Sequence, residues 1–503
     1  MDGSGTREQT EAMMKLSQAS LTDLPAGVAV PDYDRNLVRP GILHVGLGNF
    51  HRAHQAVYLD AALNAGGDLA WGIRGAGVRA PDARMREMLA GQDWLYTVTE
   101  VEHDSYATSV IGAMNDFIDV QPAGNAPLIA AMTDPDTRIV SLTVTEGGYF
   151  LDAATGRFDL SHPAVAADIA NPGTPGTVFG AIIAALAARK AEGDAPFTVM
   201  SCDNLPGNGD VARMAVIDLA RAMNRNLASW IEDNVTFPNG MVDRITPATG
   251  DRERALLTAR TGIIDAYPVF CEPFKQWVLE DKFVSGRPEL ERVGVTFTDR
   301  IHDFERMKIR ILNGGHAIMA YPSGLLGIPY AHDAVADPLI AAYLRKVLTD
   351  EVLHLVPDVP GFTPAQYLEL IFSRLENPGV ADTIARLCFD GSNRQPKFIV
   401  PSIVDNLHKG LVPRGLALHS ALWCRYCMGV DDQGKEIPEN DPNWKALQTA
   451  ARKAQSDPVV WLQQETIYGA LAQDKAFVAE FASALQSLAQ KGTEKTLRGY
   501  LGQ

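Results

Sequence analysis

Apolar positions recur with two different periods along this 503-residue chain. Up to about residue 300 they cluster in short runs bounded by glycine, proline and aspartate. The run Gly41-Ile-Leu-His-Val45 is of the kind that fills a buried strand. Further strands are expected at Leu69–Val78, Leu95–Val101, Arg138–Thr145, Phe197–Cys202 and Met241–Ile245, with helical stretches between some of them at Asp82–Leu89 and Thr177–Lys190. Strands alternating with helices predict an α/β fold with a mostly parallel sheet. Glu100–Phe117 reads instead as hairpin strands, an insertion in that sheet. Past residue 300 the period becomes helical. Asp337-Pro338, Thr363-Pro364, Asp441-Pro442 and Asp457-Pro458 each place a capping residue and a first-turn proline ahead of an apolar-periodic run. One such run carries Leu339, Ile340, Tyr343, Leu344, Val347 and Leu348 on a single stripe.

One polar cluster stands out against this helical background. Glu305–Ala317 sets Lys308, Asn313 and His316 at i, i+5 and i+8 among Ile309, Ile311, Leu312, Ile318 and Met319. On an α-helix, His316 would project about 80° and Asn313 about 140° from Lys308, which puts all three on one side. Gly314 and Gly315 weaken a helix unless something approaches its backbone closely. Their expected use is to leave room for a ligand beside Asn313 and His316. On spacing alone the stretch reads equally well as an amphipathic helix with ordinary surface polar groups.

Length and composition narrow the class. A chain this long divides into two to three domains, and the change of period places the main boundary in Val284–Thr298, just ahead of Lys308. The expected organisation is an arm at 1–40, an α/β domain at 41–295 and a mostly helical domain at 296–503. Apolar residues make up 46% and charged residues 21%, as in a soluble enzyme-sized protein. The net charge of −16 argues against a nucleic-acid or anionic-membrane surface. Five scattered cysteines are not a disulfide framework and point to a reducing compartment. Met1–Leu24 has no apolar signal-like core, and the apolar run Gly180–Ala188 is too short to span a bilayer. The expectation is a soluble cytoplasmic protein, a monomer or small homo-oligomer, without a membrane or nucleic-acid partner.

Candidate chemistry begins at the first strand. Gly46-Leu47-Gly48-Asn49-Phe50-His51 follows it and leads into a helical stretch. Strand, glycine turn and helix is the context in which a dinucleotide pyrophosphate meets a helix N-terminus. The third glycine of that fingerprint is absent and His51 stands near its place, so an ordinary strand-to-helix turn is the competing reading. Asp82, 34 positions past Gly48, is placed either to bond an adenosine ribose and favour NAD over NADP or only to cap the next helix. Arg79 beside it tolerates a phosphate. A lysine acts as a general base near neutral pH when burial or a neighbouring cation lowers its pKa. An asparagine nearby can donate to a developing oxyanion, and a histidine can hold a substrate hydroxyl. Joined to a dinucleotide fold, these parts suit hydride transfer at a carbinol carbon.

These stretches resemble the long-chain polyol (mannitol) dehydrogenase family. The resemblance rests on Gly46–His54 and Lys308–His316, with Thr145–Tyr149, Ser201–Gly209, Met241–Pro247 and Glu272–Val278 collinear between them. It runs from about residue 41 to at least Lys397. It implies a Rossmann-type N-terminal domain, a helical C-terminal domain, and metal-independent, NAD-dependent interconversion of a polyol and a ketose. D-mannitol and D-fructose are the leading pair, with D-arabinitol, D-sorbitol or a uronate such as fructuronate as alternatives. Carried over by motif, Lys308 is the base, Asn313 and Asn204 stabilise the substrate oxygen, and His316 positions the substrate. Glu146 lies in the proton path, and Asp243 is a further substrate-side candidate or a loop carboxylate. Arg386 and Arg394 grip substrate hydroxyls, with Lys397 nearby, and Arg394 stands where lysine is common. The two half-sites for a metal, His51-x2-His54 and Cys424-x2-Cys427, each lack a second pair, so no metal is expected. From another class, a dinucleotide-binding sensor without turnover remains the alternative.

Overall fold

The structure, a computed structural model, describes residues 13–152 and 155–503. The chain divides into two compact units, Met1–Ile301 and His302–Gln503.

The first unit is built on five parallel strands: β1 (Ile42–Val45), β2 (Ile73–Ala76), β3 (Met114–Phe117), β4 (Ile139–Leu142) and β5 (Thr198–Ser201). Their spatial order is β3-β2-β1-β4-β5, the order of a Rossmann-type sheet. Both faces are covered, so β1, β4 and β5 are buried at every position, whereas the edge strand β3 carries Asn115 and Asp116 part-exposed at its centre. Leu43, Val45, Val140, Leu142 and Val199 pack against the helices Ala126–Thr133, Val178–Glu192 and Asn208–Met223. Ile42, Ile73, Met114, Ile139 and Met200 face the helix Gln55–Asn64. The order reverses between β1 and β4, so the crevice beyond their carboxyl ends is where such a sheet binds a ligand.

Three expected strands differ. The run at Leu69–Val78 begins as a 3-10 turn, because Asp68 accepts the Ala70 N–H at 2.9 Å, and only Ile73–Ala76 is extended. Leu95–Val101 does not join the parallel sheet. It becomes Tyr96–Glu102, which forms an antiparallel hairpin with Ser105–Ile111 in a separate four-stranded sheet. The insertion ends there, and the chain re-enters the main sheet as β3. Met241–Ile245 forms Gly240–Asp243, paired antiparallel with Gln276–Leu279 in a three-stranded sheet. Asp243 is therefore a strand end, not a loop carboxylate. Of the expected arm, residues 1–12 lie outside the described residues. The rest is stitched down: Met14–Lys15 pairs with Ile263–Ile264, and Val28–Ala29 with Thr108 and Ser109.

The second unit is mostly helical. Asp337 accepts the N–H groups of Leu339 and Ile340 and starts the helix Pro338–Glu351. Thr363 forms a capping box with Gln366 ahead of Pro364–Leu375. The other two Asp-Pro pairs do not cap. The Asp441 carboxylate is taken by Ser392 and Asn443, and the helix begins at Trp444. Asp457-Pro458 precedes a helix of four residues, Val459–Leu462. No helix among the described residues is long and apolar enough to cross a membrane.

Candidate active site

The sequence-selected residues of the first unit, Asp243 apart, follow the carboxyl ends of its parallel strands. Gly46 follows β1 with φ of +99°, and a Cβ there would collide with the Thr143 carbonyl. It is glycine because the turn requires it. Gly48 has ordinary backbone angles, and a Cβ there would meet essentially open space. Its own chain does not demand a glycine at that position.

His51 is buried behind this turn. Its ring stacks on His44 with centroids 3.4 Å apart. His44 lies 2.8 Å from the Ser141 hydroxyl and 2.9 Å from that of Thr143. Burial pushes His44 down to about 3. Burial, then the charges of His44 and Arg52, hold His51 well below the usual imidazole range. The stacked pair fills the space that a third glycine would leave for strand and helix to approach.

Asn49 opens the short helix Asn49–Ala53, and its side-chain Oδ1 accepts from the Arg52 guanidinium at 2.6 Å. Arg52 is itself buried, with its guanidinium 4.1 Å over the Tyr267 ring, and it also donates to the Tyr267 carbonyl. Phe50 stacks on His54 at 5.0 Å. The His54 ring is engaged on both nitrogens, by the Gln276 carbonyl at 2.8 Å and the Gln55 amide at 3.0 Å. The Cys424 and Cys427 thiols are buried and pushed up by burial. Among the described residues no group of three or more His, Cys, Asp or Glu is arranged to hold a metal ion.

Asp82 follows β2 at the third position of the helix Ala80–Ala90. Its carboxylate reaches back to accept the Arg79 N–H at 3.0 Å, half of a capping box. It lies against Gly77, where a Cβ would overlap the Asp82 side chain.

Glu146 and Asn204 follow the neighbouring strands β4 and β5, and both are exposed. Asp203 joins them. Its carboxylate accepts the N–H of Val144 at 3.0 Å, that of Thr145 at 2.9 Å and the Tyr149 hydroxyl at 2.8 Å. Tyr149 also meets the Ser201 hydroxyl at 2.6 Å. Burial, opposed by those donors and reinforced by the Glu146 charge, raises the Asp203 carboxyl above its ordinary range. Thr145 has φ of +66° and ψ of 166°, a conformation that costs a non-glycine residue about 1–3 kcal/mol and persists only where its surroundings over-determine it. Behind Asp203, the Asn208 amide donates to its carbonyl at 3.0 Å and to Gly240 at 2.8 Å, at the start of the strand that ends in Asp243.

In the second unit Lys308, Asn313 and His316 lie on one continuous helical rod. Ile301–Met307 and Gly314–Leu325 are α-helical, but Lys308–Asn313 is π-helix, shown by the Gly314 N–H bonding the Ile309 carbonyl. This corrects the α-helical projection. With i→i+5 bonding, Asn313 lies one π-turn from Lys308, not about 140° around the axis. His316 follows Asn313 at i+3 in α geometry, again one turn on. The trio is therefore aligned more closely along one face than α spacing implies. Lys308 is buried at 6% exposure, while Asn313 and His316 are partly exposed.

The paired glycines also need correcting. A Cβ on Gly314 would press on the Phe398 carbonyl, and one on Gly315 would touch Leu348 and Leu344. Both positions face the unit's own packing, so room for a ligand is not what they provide. Arg386 is bound to Asp382 through two nitrogens. Arg394 donates to the Leu387 carbonyl at 3.0 Å, and Lys397 is exposed on the same helix, Gly391–Phe398. The residues sequence reasoning passed over are Arg52, Tyr149, Asp203 and Asn208. All lie inside motifs that carried the resemblance, but nothing in a single sequence separates a buried support from the exposed groups beside it.

Known proteins match along the whole chain. The mannitol dehydrogenase Rossmann domain matches residues 40–292, and the mannitol dehydrogenase C-terminal domain residues 300–489. A mannitol 2-dehydrogenase of Cereibacter sphaeroides is 58% identical over 474 residues, covering 94% of this chain and 99% of that protein. The structure of Pseudomonas fluorescens mannitol 2-dehydrogenase, a ternary complex with NAD and D-mannitol, is 43% identical with a TM-score of 0.88, covering 97% of this chain and all of that one. A substrate-free D-sorbitol dehydrogenase reaches the same TM-score at 35% identity, covering 96% of this chain and 100% of that one. With both domains matched in order and a relative this similar over nearly its full length, the chain belongs to the mannitol dehydrogenase family of oxidoreductases.

Proposed function

We propose that this protein is an NAD-dependent mannitol 2-dehydrogenase that interconverts D-mannitol and D-fructose with a lysine general base and no metal. The observation that carries the reading is the similarity, over 97% of the chain, to a relative solved with NAD and D-mannitol bound. The residues fit the cofactor. Gly48 leaves open space beside the turn after β1, and the first-turn N–H groups of the helix behind it have no intrahelical acceptor. The turn Gly46–His51 would hold the pyrophosphate, with Asp82 on the ribose side. When bound, NAD accepts the hydride from the carbinol carbon.

The chain's own residues handle the proton and the oxygen. Lys308 takes the hydroxyl proton from substrate. Asn313 and Asn204 donate hydrogen bonds to the oxygen as charge develops on it, and His316 orients the hydroxyl. Glu146 passes the proton on toward solvent. Asp243, Arg386 and Arg394 hold the remaining hydroxyls. Arg386 can do so only while sharing its guanidinium with Asp382. The 58%-identical relative favours mannitol, and the D-sorbitol dehydrogenase makes sorbitol the second substrate to assay.

The decisive experiment measures initial rates with a panel of C5 and C6 polyols, fructose and fructuronate, with NAD and with NADP. D-mannitol with NAD is expected to give the highest kcat/KM for oxidation. Activity confined to a uronate would overturn the substrate assignment. Lys308→Ala should lower mannitol oxidation by at least about a thousandfold while leaving NADH binding, followed by fluorescence, nearly intact. Full turnover in that variant would remove the lysine base.

A further inference from the structure

We infer that Asp203 is a positioning residue that locks the Glu146 turn and the Asn204 turn into one rigid element. The inference rests on the roles proposed for Glu146 and Asn204. Asp203 directly precedes Asn204 in the chain, and its carboxylate accepts two successive backbone N–H groups, from Val144 and Thr145, directly before Glu146. One buried carboxylate thus fixes the peptide that aims Glu146, while its own backbone carries Asn204.

Three features point to positioning and not to a generic loop staple. First, Thr145 is held at φ of +66°. A non-glycine residue keeps that conformation only when its neighbours impose it, and the two bonds to Asp203 fall on this peptide and the one before it. Second, Gly147 and Gly148 follow Glu146, so the next side chain able to anchor the turn is Tyr149, which bonds the same Asp203 carboxylate. Third, the carboxylate is itself braced. Ser201 can donate to the Tyr149 oxygen while Tyr149 donates to Asp203, so a hydrogen-bond chain runs into the carboxylate from the end of β5. Asn208 ties the Asp203 carbonyl to Gly240. The brace therefore reaches the base of the strand that presents Asp243.

The test compares Asp203→Asn, Tyr149→Phe, Glu146→Gln and the Asp203→Asn/Glu146→Gln double variant in the full chain. Readouts are kcat, KM for mannitol and NAD, the pH dependence of kcat and the melting temperature. Asp203→Asn keeps the size of the side chain but replaces one acceptor oxygen by a donor, so it cannot hold both N–H groups and the Tyr149 hydroxyl. It is expected to lower kcat about 10- to 100-fold, with KM for NAD changed less than about twofold. Its kcat-versus-pH profile should change, because the proposed proton path through Glu146 loses its fixed orientation. Tyr149→Phe removes one donor of the three and should lower kcat by a smaller factor, which keeps the inference testable if Asp203→Asn fails to fold. The double variant should lose less than the product of the two single losses, since part of what Asp203 does passes through Glu146. If Asp203→Asn and Tyr149→Phe lower only the melting temperature, or if the kcat losses multiply in the double variant, the inference fails. If Glu146→Gln itself leaves kcat and its pH dependence unchanged, the proposed role of Glu146 fails instead.

Discussion

Asp82 shows how one side chain can carry two readings that a measurement separates. Its carboxylate accepts the Arg79 N–H and closes the first turn of Ala80–Ala90. It also stands after β2, where Rossmann-type sheets present a carboxylate to the adenosine ribose. Asp82→Ala removes both. Loss of the cap should cost about 1 kcal/mol, read as a lower urea midpoint with an unchanged slope. Loss of a ribose contact, and of repulsion toward a 2′-phosphate, should raise the NADP-to-NAD ratio of kcat/KM at least about tenfold. A lower midpoint with an unchanged ratio would leave Asp82 as a helix cap. The same division runs through the other sites. The motifs of the family resemblance made the exposed candidates Glu146 and Asn204 legible. The partners that fix them are invisible without coordinates, because a carboxylate such as Asp203 in a strand-end motif looks the same whether it faces ligand or backbone.

At the scale of elements, the rod Ile301–Leu325 carries the sharpest difference between sequence and structure. Periodicity finds the rod and its polar trio but assumes i→i+4 bonding throughout, so it cannot see a π segment at Lys308–Asn313. The glycines beside it are open to a direct test. Gly315 is buried in helix, and an added Cβ would reach ordinary contact with Leu348 and Leu344. Gly315→Ala should therefore raise stability by up to about 1 kcal/mol through helix propensity and leave KM for mannitol unchanged. A raised KM with normal stability would restore the reading in which the glycine makes room for substrate. Strand pairing was the other part that periodicity could not supply. The apolar runs marked Leu95–Val101 and Met241–Ile245 as strands, but which sheet a run joins depends on contacts far along the chain. Tyr96–Glu102 lies beside Val269–Cys271, which no local signal links to it.

At the scale of the whole molecule, buried titratable groups set how the fold responds to acid, and they pull in opposite directions. In the first unit, burial holds His44 at about 3 and His51 well below the imidazole range. In the second unit, burial holds His419 at about 3. Each of these folded-state values lies below the unfolded one, so between about pH 6.5 and 3 the unfolded chain binds three protons that the folded chain refuses. Stability must then fall as the pH falls, by about 1.4 kcal/mol per pH unit for each proton. Asp60 works against this. Burial raises it to about 6, so between about pH 4 and 6 the folded state binds a proton that the unfolded state does not. Asp203 and Glu351, also raised by burial, act in the same sense. Just below pH 6.5 the histidines have begun to act, and Asp60 blunts the loss only further down. The urea midpoint should therefore be flat from pH 8 to 7, fall steeply below about pH 6.5, and fall less steeply toward pH 4.5. His44→Gln, which keeps a hydrogen-bonding group near Ser141 and Thr143 but cannot titrate, should flatten the steep limb by one proton's worth of slope. A midpoint constant from pH 7.5 to 5.5 would show that these histidines protonate within the folded protein at little cost, and the buried, neutral His44–His51 stack behind the glycine turn would have to be given up.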